Sequence, residues 1–192
     1  MSRIKSALEL AMEKTADVEA DRGAIYRAEA AREAKKRVSL FLEGKENDLF
    51  PEEVKEKDTY GETLKETLLI NLKLPRINED LAKVSRLEEG FSSLIKGSME
   101  KEAVTGLFGQ LKNFFAQYLD SRDHLLENLA AQYEPQLRQK EAQIRQQTGQ
   151  AIRLTPEEDP EFVKILQEQR KMMDSQYEEV IKQAKDQLKE LL

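Results

Sequence analysis

Apolar residues recur along this chain at steps of three and four, the spacing of one face of an α-helix. Ile4, Leu8, Ala11, Thr15 and Val18 open the pattern, and Ala24, Ala28, Ala31, Val38 and Phe41 carry it on. Asp17 to Gly23, between them, is poor in apolar residues, and Gly23 costs about 1 kcal/mol against Ala in a helix interior. With Ser2 as N-cap and Gly44 as stop, one long helix with a weak point near Gly23 is predicted over residues 1–44. Residues 45–61 read as a charged linker punctuated by Gly44, Asn47, Pro51 and Gly61. Pro51-Glu52-Glu53 suits a short helix start there, and Leu49 and Phe50 are its apolar anchors.

Residues 62–97 give two helices broken at Pro75. Leu64, Leu68 and Leu72 stand four apart, as on a helix, while Leu68, Ile70, Leu72 and Leu74 alternate, as on a strand. No second strand is evident to pair with a first, so helix is the reading. Ile77, Leu81, Val84, Phe91 and Leu94 mark the next helix, stopping near Gly97.

From residue 98 to 192 the pattern predicts a helical hairpin. Val104, Leu107, Leu111, Phe115, Tyr118, Leu125, Leu129 and Tyr133 line the first helix, and Pro135 should bend it. Leu137, Ile144 and Ala151 continue the stripe through a Gln-rich stretch that looks exposed. The turn falls at 154–160, where Thr155, Pro156 and Glu158 form a capping-box start and Asp159-Pro160-Glu161 offers a second. Val163, Leu166, Met173, Tyr177, Val180, Ala184, Leu188 and Leu191 form the last stripe, interrupted by Arg170. Their near-heptad spacing makes them the candidate partner-helix face. A first arm of roughly 75–80 Å faces a second of roughly 45–50 Å. The expected fold is therefore all-α, an elongated helical bundle with a long antiparallel coiled-coil hairpin.

Composition fits helices that bury one stripe each: 39% of residues are hydrophobic, 35% charged and 6% aromatic, with no Trp. The absence of Cys excludes disulfides and thiolate chemistry. No apolar run is longer than Leu68-Leu69-Ile70, far short of the roughly 20 residues that span a bilayer. No stretch resembles a secretory signal core, so a cytoplasmic location is the expectation. A net charge of -6 argues against nucleic acid as a partner.

Three constellations invite chemistry. His124, the single histidine, shares a helical face with Asp120 and Glu127, but Ser121 stands where a Glu-x-x-His metal unit needs Glu. A solvated polar face is the reading, with no metal and no cofactor. Arg27, Arg32, Lys35, Lys36 and Arg37 form the densest basic cluster, a candidate patch for an anionic partner such as a membrane surface or RNA. Glu29 and Glu33 offset it, and no aromatics interleave as base-stacking platforms require. Gly106-Leu107-Phe108-Gly109 reads as a close helix approach or a local break, with Phe108, Phe114 and Phe115 as core. No nucleophile elbow or phosphate loop occurs, so an enzyme is not expected.

The opening Ile4-Lys5-Ser6-Ala7-Leu8-Glu9-Leu10-Ala11-Met12-Glu13-Lys14-Thr15-Ala16-Asp17 resembles the start of a family of uncharacterised bacterial all-helical proteins. That resemblance implies no activity and no site residues. The expected role is a non-enzymatic interaction or scaffold protein, self-associating through coiled-coil packing, with a protein partner. The alternatives are a peripheral binder of anionic surfaces through the Arg27–Arg37 cluster, or a chaperone-like clamp that uses an exposed apolar strip beyond Pro135.

Overall fold

Helix α1, Ala7–Leu42, runs through Gly23 without a break, because one glycine's propensity cost is small against a helix of 36 residues. The computed structural model describes residues 7–51, 53, 54 and 56–192, with side chains described from Arg22 onward. The expected N-cap Ser2 and the stripe from Ile4 to Val18 therefore lie outside the described residues or side chains. Gly44 ends α1 as expected. At φ +74 it occupies the left-handed region, and the Lys45 and Gly44 amides donate to the carbonyls of Leu40 and Phe41 at 2.9 and 3.0 Å. That pairing satisfies carbonyls the helix end leaves open.

Four further helices follow: α2 (Lys57–Asn71), α3 (Asp80–Leu94), α4 (Ser98–Thr148) and α5 (Pro160–Leu191), with a 3-10 turn at Pro156–Glu158. Among the described residues there is no strand, and the fold class is all-α. Contacts divide the chain into two compact units, Met1–Leu72 with Ser85–Gly97 and Lys73–Val84 with Ser98–Leu192.

In the first unit, α1 packs on α2. Among its described side chains, those of Ala30, Ala34, Val38 and Phe41 are buried. Ala24 and Ala28 are exposed, so the stripe expected through Ala24, Ala28 and Ala31 is out of phase over those residues. The backbone at 51, 53 and 54 is not helical, and α2 begins at Lys57, inside the stretch read as linker. Tyr60 explains the early start: buried like Leu64 and Leu68, it donates its hydroxyl to the Leu49 carbonyl at 2.6 Å. Burial pushes the Tyr60 phenol up to about 12. Leu49 anchors this stretch, whereas Phe50 is exposed. The helix-or-strand ambiguity resolves to helix, which turns Ile70 outward at 70% exposure and stops at Asn71, four residues before Pro75.

Arg86 on α3 holds the α1–α2 connection. Its guanidinium lies 4.7 Å over the Phe41 ring and donates to the Glu46 carbonyl at 3.1 Å and Asn47 Oδ1 at 3.0 Å. From α1, Arg37 donates to Glu46 Oε2 at 3.1 Å. Gly90 lets α3 approach closely, since a Cβ there would lie 3.1 Å from Leu68 Cδ2 and 3.4 Å from Leu49 Cδ1. The α3 stripe also shifts from expectation: Leu87 is buried and Ile77 is exposed. Asp80 opens α3, accepting from the Arg76 amide and from Lys83 Nζ, and these bonds hold its carboxyl below the usual range.

The helical phase of α2 makes a sharp prediction. Leu64→Ala should cost about 2–5 kcal/mol in urea unfolding followed by circular dichroism, as cavity-forming core truncations do. Ile70→Ala, less than two turns away, should stay within about 0.5 kcal/mol. Equal costs would contradict this phase.

Candidate interaction surface at the hairpin tip

The second unit is built on α4 and α5. Contacts from Tyr118 to Asp174, from Tyr133 to Phe162 and from Lys140 to Asp159 advance along one helix as they retreat along the other, so the pair is antiparallel. With 51 and 32 residues, the helices span about 76 and 48 Å. Helix α4 continues through Pro135, which has no N–H for the Ala131 carbonyl. It ends at Thr148, not near Arg153, because Gly149 adopts φ +73 and donates its amide to the Arg145 carbonyl at 2.9 Å. The connection thus runs from Gly149 to Asp159, longer than the 154–160 turn read from sequence.

Two of the expected α4 stripe positions at its start, Val104 and Leu111, are buried, but Phe108 takes the place of Leu107. Phe115 is fully buried, and Phe114 stacks at 5.0 Å on Tyr177. Gly106 and Gly109 are exposed, a Cβ on either would meet open space, and the helix is unbroken there. The close-approach and local-break readings of that segment are both corrected.

On α5 the buried face is Phe162, Leu166, Ile181, Ala184 and Leu188. The expected stripe contained Leu166, Ala184 and Leu188 but chose Val163 over Phe162 and Val180 over Ile181, one residue out of phase each time. Val180 is exposed, and Val163, Met173, Tyr177 and Leu191 are half-buried.

Between Leu119 and Tyr133 on α4, and between Leu166 and Ile181 on α5, no residue is fully buried. Polar contacts fill part of that interval. Tyr118 donates to Asp174 Oδ1 at 2.7 Å, and the Ser121 and Tyr177 hydroxyls share a hydrogen bond at 3.1 Å. Burial, then the hydrogen bond to Asp174, push the Tyr118 phenol up to about 12. Arg122 donates to the Arg76 carbonyl at 2.8 Å, tying the 73–84 segment to α4. Arg170 Nε is buried without a hydrogen-bond partner among the described residues.

Beyond this interval lies a separate apolar cluster of Tyr133, Leu137, Phe162 and Leu166, flanked by Leu126, Leu129, Ala130, Leu154 and Ile165. A polar lock closes it. Asp159 is 6% exposed and caps α5 by accepting from the Glu161 amide at 2.9 Å. Lys140 Nζ reaches across to Asp159 Oδ2 at 2.6 Å, to Glu161 Oε2 at 3.0 Å and to the Tyr133 hydroxyl at 2.9 Å. Those bonds raise the Lys140 pKa, with Asp159 the largest cause, while Lys140 lowers those of Asp159 and Glu161. Of the two helix starts expected, Asp159-Pro160 begins α5. Thr155 begins only the 3-10 turn, where Glu158 Oε2 accepts from the Thr155 amide and hydroxyl at 2.9 and 3.0 Å.

Beside the lock lies a groove of about 430 Å³ between α4 and the 153–156 segment. Ala130, Leu137, Leu154 and Pro156 give it apolar walls, and Glu134, Arg138, Glu141 and Arg153 give it a charged rim. Arg138 pairs with Glu134, and Glu141 accepts from the Leu154 amide at 2.7 Å. Arg153 is exposed. Nothing in the sequence flagged this groove, because its two walls are brought together only by the turn.

The other candidates separate. His124 is exposed and sits 3.5 Å from Asp120 and 3.6 Å from Glu127, too far for good hydrogen bonds. Among the described residues no group of three or more His, Cys, Asp or Glu could hold a metal, and no helix is long and apolar enough to cross a membrane. Arg27, Arg32, Lys35 and Lys36 are exposed, but Arg37 is committed to Glu46 and the Asp48 carbonyl.

Fold and site together define a protein of paired helices with a locked hairpin turn and a small groove beside it. The chain belongs to a family of unknown function (DUF6657), whose model matches residues 48–190. No curated protein and no solved structure matches it. The matched span begins after α1, so it does not include the Ile4–Asp17 stretch that carries the resemblance.

The lock has a defined pH response. Asp159 has a lowered pKa, so its stabilisation is complete above about pH 4 and lost as pH falls through the lowered value. Lys140 has a raised pKa, so its contribution is complete below about pH 10 and lost only at higher pH. Glu161 is held low by Lys140 as well, so thermal midpoints should be flat with respect to the lock between about pH 5 and about pH 10, and Asp159→Asn should reduce the fall at more acid pH. An unchanged acid slope in that variant would contradict this assignment.

Proposed function

We propose that this chain is a non-enzymatic helical interaction protein whose hairpin tip docks a protein partner, with α4 and α5 joined by a coiled-coil type seam. The observation that carries this reading is the open groove held beside a turn fixed by the Lys140–Asp159 lock. A rigid turn keeps the groove walls at a set spacing, which lowers the ordering cost of binding. The groove offers room for an apolar side chain between Leu137 and Leu154, and exposed Arg153 suits an acidic neighbour on the same partner. Its carboxylates are tied to neighbouring groups rather than enclosed, which favours recognition over acid–base chemistry. A cytoplasmic setting accords with this role.

Site-specific photocrosslinking in the native cell tests it. A crosslinker at Arg138, on the groove, should give discrete protein adducts that Arg153→Glu reduces at least several-fold. A crosslinker at Gln139, outside the groove lining, should give few. Equal adducts at both positions, or indifference to Arg153→Glu, would overturn the reading.

A further inference from the structure

Two arginines stand at one level of the α4–α5 seam. Arg170 follows the buried Leu166 by four residues and precedes Asp174 by four, so it lies on the seam face of α5. Arg122 follows the buried Tyr118 by four residues and precedes Leu125 by three, which puts it on the seam face of α4. The bond from Tyr118 to Asp174 at 2.7 Å fixes the register of the antiparallel pair there. Four residues further toward the tip, a rise of about 6 Å, the chain reaches Arg122 on one helix and Arg170 on the other. A coiled-coil seam favours apolar residues at such positions, and two like charges at one level destabilise it unless a counter-charge joins them.

The surrounding groups supply none. Among the described residues neither arginine forms an ion pair, and Arg170 makes no hydrogen bond, its Nε buried without an acceptor. Asp174 is engaged through Oδ1 by the Tyr118 hydroxyl. Arg122 spends one N–H on the Arg76 carbonyl at 2.8 Å and lies 5.8 Å from the centre of the Tyr118 ring. A further donor is spare: the Ser121 and Tyr177 hydroxyls share a single hydrogen bond at 3.1 Å, which uses only one of their two hydrogens. Both arginines are half-buried, in the stretch of the hairpin that has no fully buried side chain, so a small ion can reach them.

We infer that this level of the seam is a phosphate site, where Arg122 and Arg170 together hold one dianionic phosphate group, free or at the end of a small phosphomonoester. Two guanidinium charges balance a dianion. Their planar forks and the spare hydroxyl suit an acceptor with more oxygens than a carboxylate has. The donors that lack acceptors in the free chain, and weaken its seam, become the recognition groups once the anion is bound. The site lies midway along the hairpin, apart from the groove at the tip, so either can fail without the other.

Isothermal titration calorimetry on the full chain tests it, with inorganic phosphate, glycerol phosphate and succinate as separate probes in a phosphate-free buffer of low ionic strength. The expected result is saturable one-to-one binding of inorganic phosphate, glycerol phosphate or both, weakened about ten-fold or more by Arg170→Leu. Binding of both phosphates supports a site for the group itself, and binding of glycerol phosphate alone supports it as a site for the ester. Leucine suits a seam position, so Arg170→Leu should keep the helical signal and melt no lower than the parent chain. Phosphate should then raise the thermal midpoint of the parent but not of the variant. Absence of binding by either phosphate at about 10 mM, or equal affinity for succinate, would overturn the proposal. So would binding indifferent to Arg170→Leu, the result that the exposed Arg32, Lys35 and Lys36 would give.

Discussion

The hairpin tip depends on one ion pair, Lys140 with Asp159. Asp159 caps α5 from a buried position, and a buried carboxylate without a partner is strongly unfavourable. Lys140 supplies the partner from α4, 19 residues away in sequence, and the same ammonium also satisfies Glu161 and the Tyr133 hydroxyl. One side chain therefore ties the start of α5 to a fixed level on α4. That tie sets the meeting of Tyr133 with Phe162, whose rings lie 5.4 Å apart, and encloses the apolar cluster beneath it.

The arrangement also explains how a long hairpin can hold its tip without a continuous core. Its middle has no fully buried side chain, and its hydrogen bonds there join hydroxyls and a carboxylate. Such contacts contribute little net stability but fix register, because each donor has a defined acceptor. Apolar packing toward one end, a polar interval and a locked cluster at the tip make the hairpin a set of zones. The groove adjoins the locked zone, sharing Ala130, Leu137 and Leu154 with its apolar cluster.

Element type was largely legible in the residues, and phase was not. The four-residue spacing of Leu64, Leu68 and Leu72 identified α2, and extending it back one step reaches Tyr60, its first buried residue. Gly44 announced its helix end, while Gly149, equally a left-handed stop, hid within a Gln-rich run that otherwise continues the helical pattern. On α5 the choice between Phe162 and Val163, or between Val180 and Ile181, is a choice between adjacent apolar residues. Burial on α4 decides it, and the α5 sequence alone does not contain that information. The groove and the anchors Arg86 and Lys140 were illegible for a related reason: their partners lie across loops, and charged residues are abundant everywhere in this chain.

The Lys140–Asp159 pair should be what holds the tip rigid. The chain contains no Cys, so a Gln136→Cys, Lys164→Cys variant accepts spin labels at those two sites alone. Pulsed electron–electron resonance should give one narrow distance distribution between α4 and α5, and Lys140→Met should broaden it while the helical content persists. A distribution already broad with Lys140 in place, or one left equally narrow by Lys140→Met, would contradict the account.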